Sequence, residues 1–212
     1  SKNQVGTITF AEMVLIDTKF LETLPKEELL SGMAEMLKHG LIFDRLYWDA
    51  LKVLKLPKKS DLISFIYRSV EIKNKIVTQD PNENNVRKFL NFGHTLGHAI
   101  ESHCLKSDNL KSLLHGEAIA IGMVLEAFLS HQLCGLSEND LKSIKKTFTE
   151  FYEKCEFMDE DINSILNLLK HDKKNTHGRV NFVLLETIGK CRFDVEVNET
   201  LIIDAFTFYT KN

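Results

Sequence analysis

The chain has few residues that interrupt regular structure: three prolines, Pro25, Pro57 and Pro81, and ten glycines among 212 residues. That favours long helices over a loop-rich or all-β fold. Its four cysteines, Cys104, Cys134, Cys155 and Cys191, stand far apart with no CxxC pair. A thiolate zinc site and a disulfide framework are therefore not indicated, and scattered thiols of this kind suit small core residues in a reduced, cytoplasmic setting. Excess charge of one sign is also lacking: the formal charge is -3, so there is no basic field and no nucleic acid partner is expected. No apolar run approaches the roughly 20 residues of a membrane span, and none reads as a signal peptide, so no membrane partner is expected. Internal repeats, low-complexity segments and a Gly-rich dinucleotide loop are absent as well. What remains has the ordinary apolar and charged fractions of a globular domain, with enough length for a substantial core.

Met13-Val-Leu-Ile-Asp17 reads as a short strand. From Pro25 onward the pattern turns helical, with candidate helices over 25–41, 43–54, 60–79, 89–104, 113–134, 138–156, 160–170 and 198–209. In the third, Leu62, Ile66, Val70 and Val77 form an apolar stripe that also carries Lys73. In the fifth, Leu114, Ala118, Ile121, Leu125 and Phe128 share one face. Ser137 followed by Asp140 is an N-cap signal. Val180 to Glu186 and Cys191 to Val197 flank Thr187-Ile-Gly-Lys190 and read as a hairpin. The sum is a mainly α domain with a small β-hairpin.

The densest chemistry lies in Asn91-Phe-Gly-His-Thr-Leu-Gly-His98. His94 and His98 are four residues apart and share a helix face, a spacing that suits two metal ligands or one functional and one structural histidine. The HExxH form is missing, which argues against a metalloprotease. His115-Gly-Glu117 opens a helix, and on its own His115 reads as a capping or surface histidine. Glu35 and Lys38 are an i,i+3 pair, ordinary at a surface; Glu35 stands between Ala34 and Met36, however, and a buried carboxylate needs a cation. Lys73 on its stripe reads as a snorkelling side chain, and Asp172-Lys-Lys174 as a solvated charge run. Several cations around a metal would nonetheless suit a small polyanion.

Taken together, these segments resemble the 3-dehydroquinate synthase family. The matching pieces run in order: Lys2-Asn3-x-x-Gly6, Val14-Leu-Ile-Asp17, Leu24-Pro25, Gly32-x-Ala-Glu-x-x-Lys38-x-Gly-Leu-Ile42, and Ile72-Lys73 with Val77 and Asp80. They continue through Arg87-x-x-Leu-Asn-Phe-Gly-His-Thr-x-Gly-His-Ala-Ile-Glu101, His115-Gly-Glu-Ala118, Asp172-Lys-Lys174, Leu184-Leu185 and Ile188-Gly189. Each piece alone is weak; the ordered set is specific. One departure is Thr7-Ile-Thr-Phe-Ala-Glu12, which lacks the proline expected before the Val14 segment.

The resemblance implies the helical C-terminal domain of the dehydroquinate synthase-like fold, with residues 1–18 a remnant of a domain junction and 19–212 the metal- and substrate-binding domain. It implies zinc, or cobalt in its place, on Glu35, His94 and His115, and it moves His98 from the metal to the substrate. Lys38, Lys73 and His98 take catalytic roles; Asn3, Lys38, Lys73, Arg87, Asn91, His98 and one or both of Lys173 and Lys174 bind substrate; Lys2 borders the cofactor. NAD would be held mainly by an N-terminal half that these residues do not include. The implied activity is that of a phosphate-eliminating lyase of aromatic amino acid biosynthesis, acting on 3-deoxy-D-arabino-heptulosonate 7-phosphate, a small sugar phosphate, in a cytoplasmic homodimer. The chain alone is expected to fold yet not turn over. Competing expectations are a related cyclase such as 2-deoxy-scyllo-inosose or valiolone synthase, a metal-dependent polyol dehydrogenase, and a non-catalytic helical binding module. Asn91 before Phe-Gly-His and the intact Gly97-His98 favour the first reading over those cyclases.

Overall fold

The structure, a computed structural model, describes residues 11–54, 61–170 and 180–211. These contain eight α-helices, α1 (Lys26–Phe43), α2 (Arg45–Leu51), α3 (Leu62–Gln79), α4 (His94–Cys104), α5 (His115–Cys134), α6 (Glu138–Phe151), α7 (Asp159–Lys170) and α8 (Glu199–Thr210). A two-stranded antiparallel hairpin, β1 (Asn181–Thr187) and β2 (Lys190–Glu196), lies between α7 and α8. Short 3-10 turns cover Thr18–Glu22 and Val86–Asn91.

The centre of the bundle is α5, packed by α1, α4, α6, α8 and β1. It is buried all round, from Gly116 and Ala118 through Ala127 and again at Leu129 and Ser130, rather than along the single face expected from its sequence. A helix enclosed by five neighbours needs apolar residues on every side, which erases the amphipathic period. At 20 residues it is also long and apolar enough, by length and composition, to cross a membrane, contrary to the sequence reading; two-thirds of that apolar window is buried within the bundle.

Several boundaries follow local rules. The Ser137 hydroxyl accepts the Asp140 N–H at 3.1 Å and opens α6, as its spacing predicts. Asn198 caps α8 the same way through the Leu201 N–H. The hairpin forms where expected, and its tip is tied down by the Gly189 N–H donating to Leu41 O at 2.7 Å. In β2 one residue is extra: Phe182 faces Val195 and Leu184 faces Arg192, leaving Asp194 at φ 56° in a bulge. All four cysteines are unpaired thiols, with Cys104 and Cys191 buried.

Other expectations need correction. Residues 13–17 form no strand: no described strand pairs with them, and Met13, Val14 and Leu15 are exposed. The single helix expected over 89–104 is broken into a 3-10 turn and α4 by Gly93, whose φ of 79° lies outside the helical region. α2 ends at Leu51 and α6 at Phe151, short of 54 and 156. On α3 the buried residues are Leu62, Ser69, Ile72 and Ile76, so the stripe is rotated from the expected one and leaves Val70 and Lys73 exposed on its flank.

Candidate metal and substrate site

The site forms where α1, α4 and the start of α5 meet. At the α1–α5 crossing the Ser31 hydroxyl accepts the Gly116 N–H at 3.0 Å, which fixes the first turn of α5 and hence His115. That turn is further held by Glu117, whose carboxylate accepts the Leu114 N–H at 2.7 Å. The α4–α5 crossing is closer still. A Cβ on Gly122 would lie 2.1 Å from Gly93 O, so only glycine allows the two backbones to meet there. This approach brings His94, His98 and His115 together with ring centroids 5.2 to 5.7 Å apart.

Ligand nitrogens of the three histidines lie within 4.8 Å of one another. Glu35 stands outside that trio but against one member, with Oε1 3.5 Å from His94 Nε2. Its other oxygen accepts from Lys38 Nζ at 2.8 Å. Burial alone would raise Glu35, but the Lys38 ammonium, and then His94, hold it below the usual carboxylate range. Lys38 itself is 2% exposed, and burial pushes it below the ordinary lysine value against the pull of Glu35. His94 is driven down to about 3, first by burial and then by Lys38, so its ring is neutral at pH 7. Its Nδ1 sits 3.2 Å from Phe92 O, which directs Nε2 toward Glu35. His115 Nδ1 lies 3.2 Å from Glu101 Oε2, the carboxylate–histidine pairing that leaves Nε2 for a metal.

The donor set fits a divalent ion. Among the described residues Glu35 Oε1 is buried with no hydrogen-bond partner, an arrangement that is costly unless a cation faces it. Neutral imidazoles and one carboxylate are the ligand types zinc and cobalt accept.

Beside these groups, a cavity of about 220 Å³ is lined by Glu35, Lys38, Lys73, Arg87, Asn91 and His94, together with Glu83 and Leu90. A neighbouring cavity of about 540 Å³ takes in His98 and Thr95 and reaches Asn181 and Asp194 on the hairpin. The loop between them is pinned by Asp80, whose carboxylate accepts the backbone N–H groups of Asn84, Asn85 and Arg87. A larger cavity of about 860 Å³ between α1, α2 and α6 holds none of the predicted site residues. Lys2, Asn3, Lys173 and Lys174 lie outside the described residues.

Three residues at the site were given no role in the sequence, though Glu101 closes the Arg87–Glu101 motif. Glu83, at φ 57°, accepts from Asn91 Nδ2 at 2.7 Å and sets that amide. Glu101 orients His115. Glu126, 0% exposed, accepts the backbone N–H groups of Gly93 at 2.6 Å and Leu96 at 3.1 Å. Burial raises it to about 8, against the pull of the backbone donors of Gly93, Leu96 and Thr95. Its signal was present: it is the only charged residue between Ala118 and Ser130.

A helical bundle with a small two-stranded hairpin is the fold of the dehydroquinate synthase-like sugar phosphate cyclases. The fold matches 2-epi-5-epi-valiolone synthase from Streptomyces hygroscopicus subsp. jinggangensis, solved with NAD+ and Zn2+ bound, with a TM-score of 0.81, 25% identity, and coverage of 98% of this chain and 58% of that one. It also matches 2-deoxy-scyllo-inosose synthase complexed with carbaglucose-6-phosphate, NAD+ and Co2+, with a TM-score of 0.78, 25% identity, and coverage of 97% and 58%. The sequence pattern described as 3-dehydroquinate synthase C-terminal matches residues 32–175. The 3-dehydroquinate synthase of Parabacteroides distasonis is 39% identical over 100% of this chain and 60% of its own length. That of Listeria monocytogenes is 42% identical over 89% of this chain and 52% of its own length. The chain belongs to the 3-dehydroquinate synthase family and corresponds to its C-terminal domain. It spans little more than half the length of the curated relatives it matches.

Proposed function

We propose that this domain supplies the metal- and substrate-binding half of a 3-dehydroquinate synthase, which converts 3-deoxy-D-arabino-heptulosonate 7-phosphate to 3-dehydroquinate and phosphate. The observation that carries the reading is the convergence of Glu35, Lys38, Lys73, Arg87, Asn91 and His94 on one small cavity. Glu35, His94 and His115 are assigned to the metal, and His98 to the substrate in the adjoining cavity. Bound there, zinc or cobalt would supply Lewis-acid polarisation of a substrate oxygen, and NAD, held mainly by the part of the relatives' length that this chain does not span, a hydride acceptor. Lys73 and Arg87 bind the anionic ends of the sugar phosphate, and Asn91, set by Glu83, donates to its oxygens. Lys38, fixed against Glu35, places a cation where negative charge develops. Lys173 and Lys174 complete the cationic set on sequence grounds. The reading carries with it a cytoplasmic, homodimeric full-length enzyme. The substrate assignment is favoured over those of the related cyclases because the sequence relatives at 39% and 42% identity are 3-dehydroquinate synthases, while the two cyclases named above stand at 25%.

The test is elemental analysis after equilibration with limiting zinc, for the wild type and the Glu35→Ala, His94→Ala, His115→Ala and His98→Ala variants. About one zinc per chain, lost in the first three variants and kept in the last, is expected for a three-ligand site. Retention in Glu35→Ala with loss in His98→Ala would replace the carboxylate by the third imidazole. No zinc in the wild type would remove the metal reading of this domain. The chain alone, lacking a dinucleotide loop, is expected to release no phosphate from the heptulosonate phosphate when NAD is added.

A further inference from the structure

Glu126 is the one ionisable side chain of α5 enclosed wholly within the bundle, and the site chemistry makes no direct use of it. It meets no cation. Its oxygens meet the first turn of α4 instead: the N–H of Gly93 at 2.6 Å and that of Leu96 at 3.1 Å. The first N–H groups of any helix have no partner within the helix, and a residue just before it usually supplies one from its side chain. Here the N-cap is Gly93, which has no side chain to offer, because its φ of 79° and its contact with α5 exclude any other residue. The cap therefore comes from a residue 33 positions away.

Its placement relative to the metal candidates is specific. His94 is the first residue of α4, and Glu126 grips the N–H groups that bracket it, at Gly93 just before it and at Leu96 two residues on. Glu126 and His115 belong to the same helix, α5. One carboxylate thus locks the backbone of His94 onto the rod that carries His115, and sets the separation of the two imidazoles, whose centroids are 5.7 Å apart. A buried carboxyl group is costly unless its oxygens are hydrogen-bonded, and a core methionine or leucine would fill the same space without that cost.

We infer that Glu126 is the positioning residue of the metal centre, a long-range helix cap that holds His94 in register with His115. The inference rests on the metal reading given under Proposed function. Glu126 touches neither metal nor substrate; it acts through the α4 backbone.

The test compares Glu126→Gln with Ile202→Ala, a buried α8 residue whose truncation lowers stability away from the site. Both are measured on the folded 212-residue chain, by zinc competition against a chromophoric chelator and by the visible absorption of the Co2+ form. Glutamine keeps the shape but turns an amide donor toward backbone donors. It should weaken zinc binding about ten- to hundredfold, as loss of a supporting contact does, and alter the Co2+ bands, while Ile202→Ala changes neither. Wild-type affinity and an unchanged Co2+ spectrum in Glu126→Gln would overturn the inference, as would an equal loss in both variants. If Glu126→Gln does not fold, amide exchange in the wild type decides: zinc should slow exchange at Gly93 and Leu96 more than at the α6 amides, and uniform or absent protection would overturn it. Zinc binding by the wild type with any of these failures leaves the metal reading standing; no zinc binding by the wild type removes both.

Discussion

Glu35 Oε1 lies 3.5 Å from His94 Nε2, across the junction of α1 and α4, and has no other partner among the described residues. That separation is long for a hydrogen bond. Two ligands of one tetrahedral zinc, each about 2.0–2.1 Å from the ion, stand about 3.3–3.4 Å apart. The pair is therefore already spaced to share an ion. Replacing Glu35 with Gln keeps the shape and removes the charge, and should weaken zinc binding at least about tenfold in a chelator competition. Unchanged affinity would assign the site to the three histidines alone.

The same carboxylate is what makes Lys38 tolerable at 2% exposure. Removing one partner of a buried pair leaves an uncompensated charge, whereas removing both can be nearly neutral. Glu35→Gln should cost roughly 2 kcal/mol in urea unfolding of the metal-free chain, less than for a fully enclosed pair because the Glu35 side chain stays one-third exposed. Adding Lys38→Met should restore most of that loss. A double variant no more stable than Glu35→Gln would show that Lys38 does not depend on its partner.

Much of this arrangement was legible in the sequence, and what was missed has physical causes. Helix positions, the Ser137 cap and the hairpin follow from local periodicity and turn chemistry, which a linear reading can see. His94 and His98 drew attention by type and spacing, which left open two metal ligands or one functional and one structural histidine; His115 alone read as a capping or surface residue, and only the family resemblance placed it on the metal. The break at Gly93 was hidden because the surrounding apolar pattern runs on as if helical; only the approach of Gly122 from α5 shows why the chain must turn there. Glu126 was missed for the same reason. Its partners are backbone groups some 30 residues distant, and no local pattern encodes a cap supplied from another helix.

His39 gives the fold a dependence on acid. It is 3% exposed, with Nδ1 2.6 Å from Ser69 Oγ and no partner for Nε2 among the described residues. Burial first, then the Lys38 ammonium, lowers its pKa from 6.5 to about 4. The folded chain thus keeps this ring neutral down to about pH 4, while the unfolded chain protonates it near 6.5. Between those values the unfolded state binds more protons, so the stability tied to His39 is intact above pH 6.5 and is lost as pH falls toward 4. The full shift corresponds to roughly 3 kcal/mol. Urea midpoints at pH 7 and pH 4.5 should converge more in His39→Gln than in the wild type, and equal pH slopes would refute the assignment.

Two glycines in helices should respond in opposite directions to the same substitution. At Gly122 an added Cβ would stand 2.1 Å from Gly93 O and 2.8 Å from Gly97 N, backbone atoms that cannot swing aside. Gly122→Ala must push α4 off α5, costing at least about 2 kcal/mol, and separate His94 from His115. At Gly32, in the interior of α1, an added Cβ meets nothing within 4 Å among the described residues. Gly32→Ala should therefore gain about 0.5–1 kcal/mol, chiefly by restricting the unfolded chain. Thermal unfolding of the two variants against the wild type reads both effects, and zinc affinity separates them again: it should fall in Gly122→Ala and hold in Gly32→Ala. Stability lost equally in both would mean that the close crossing of α4 and α5 is not what fixes the histidines.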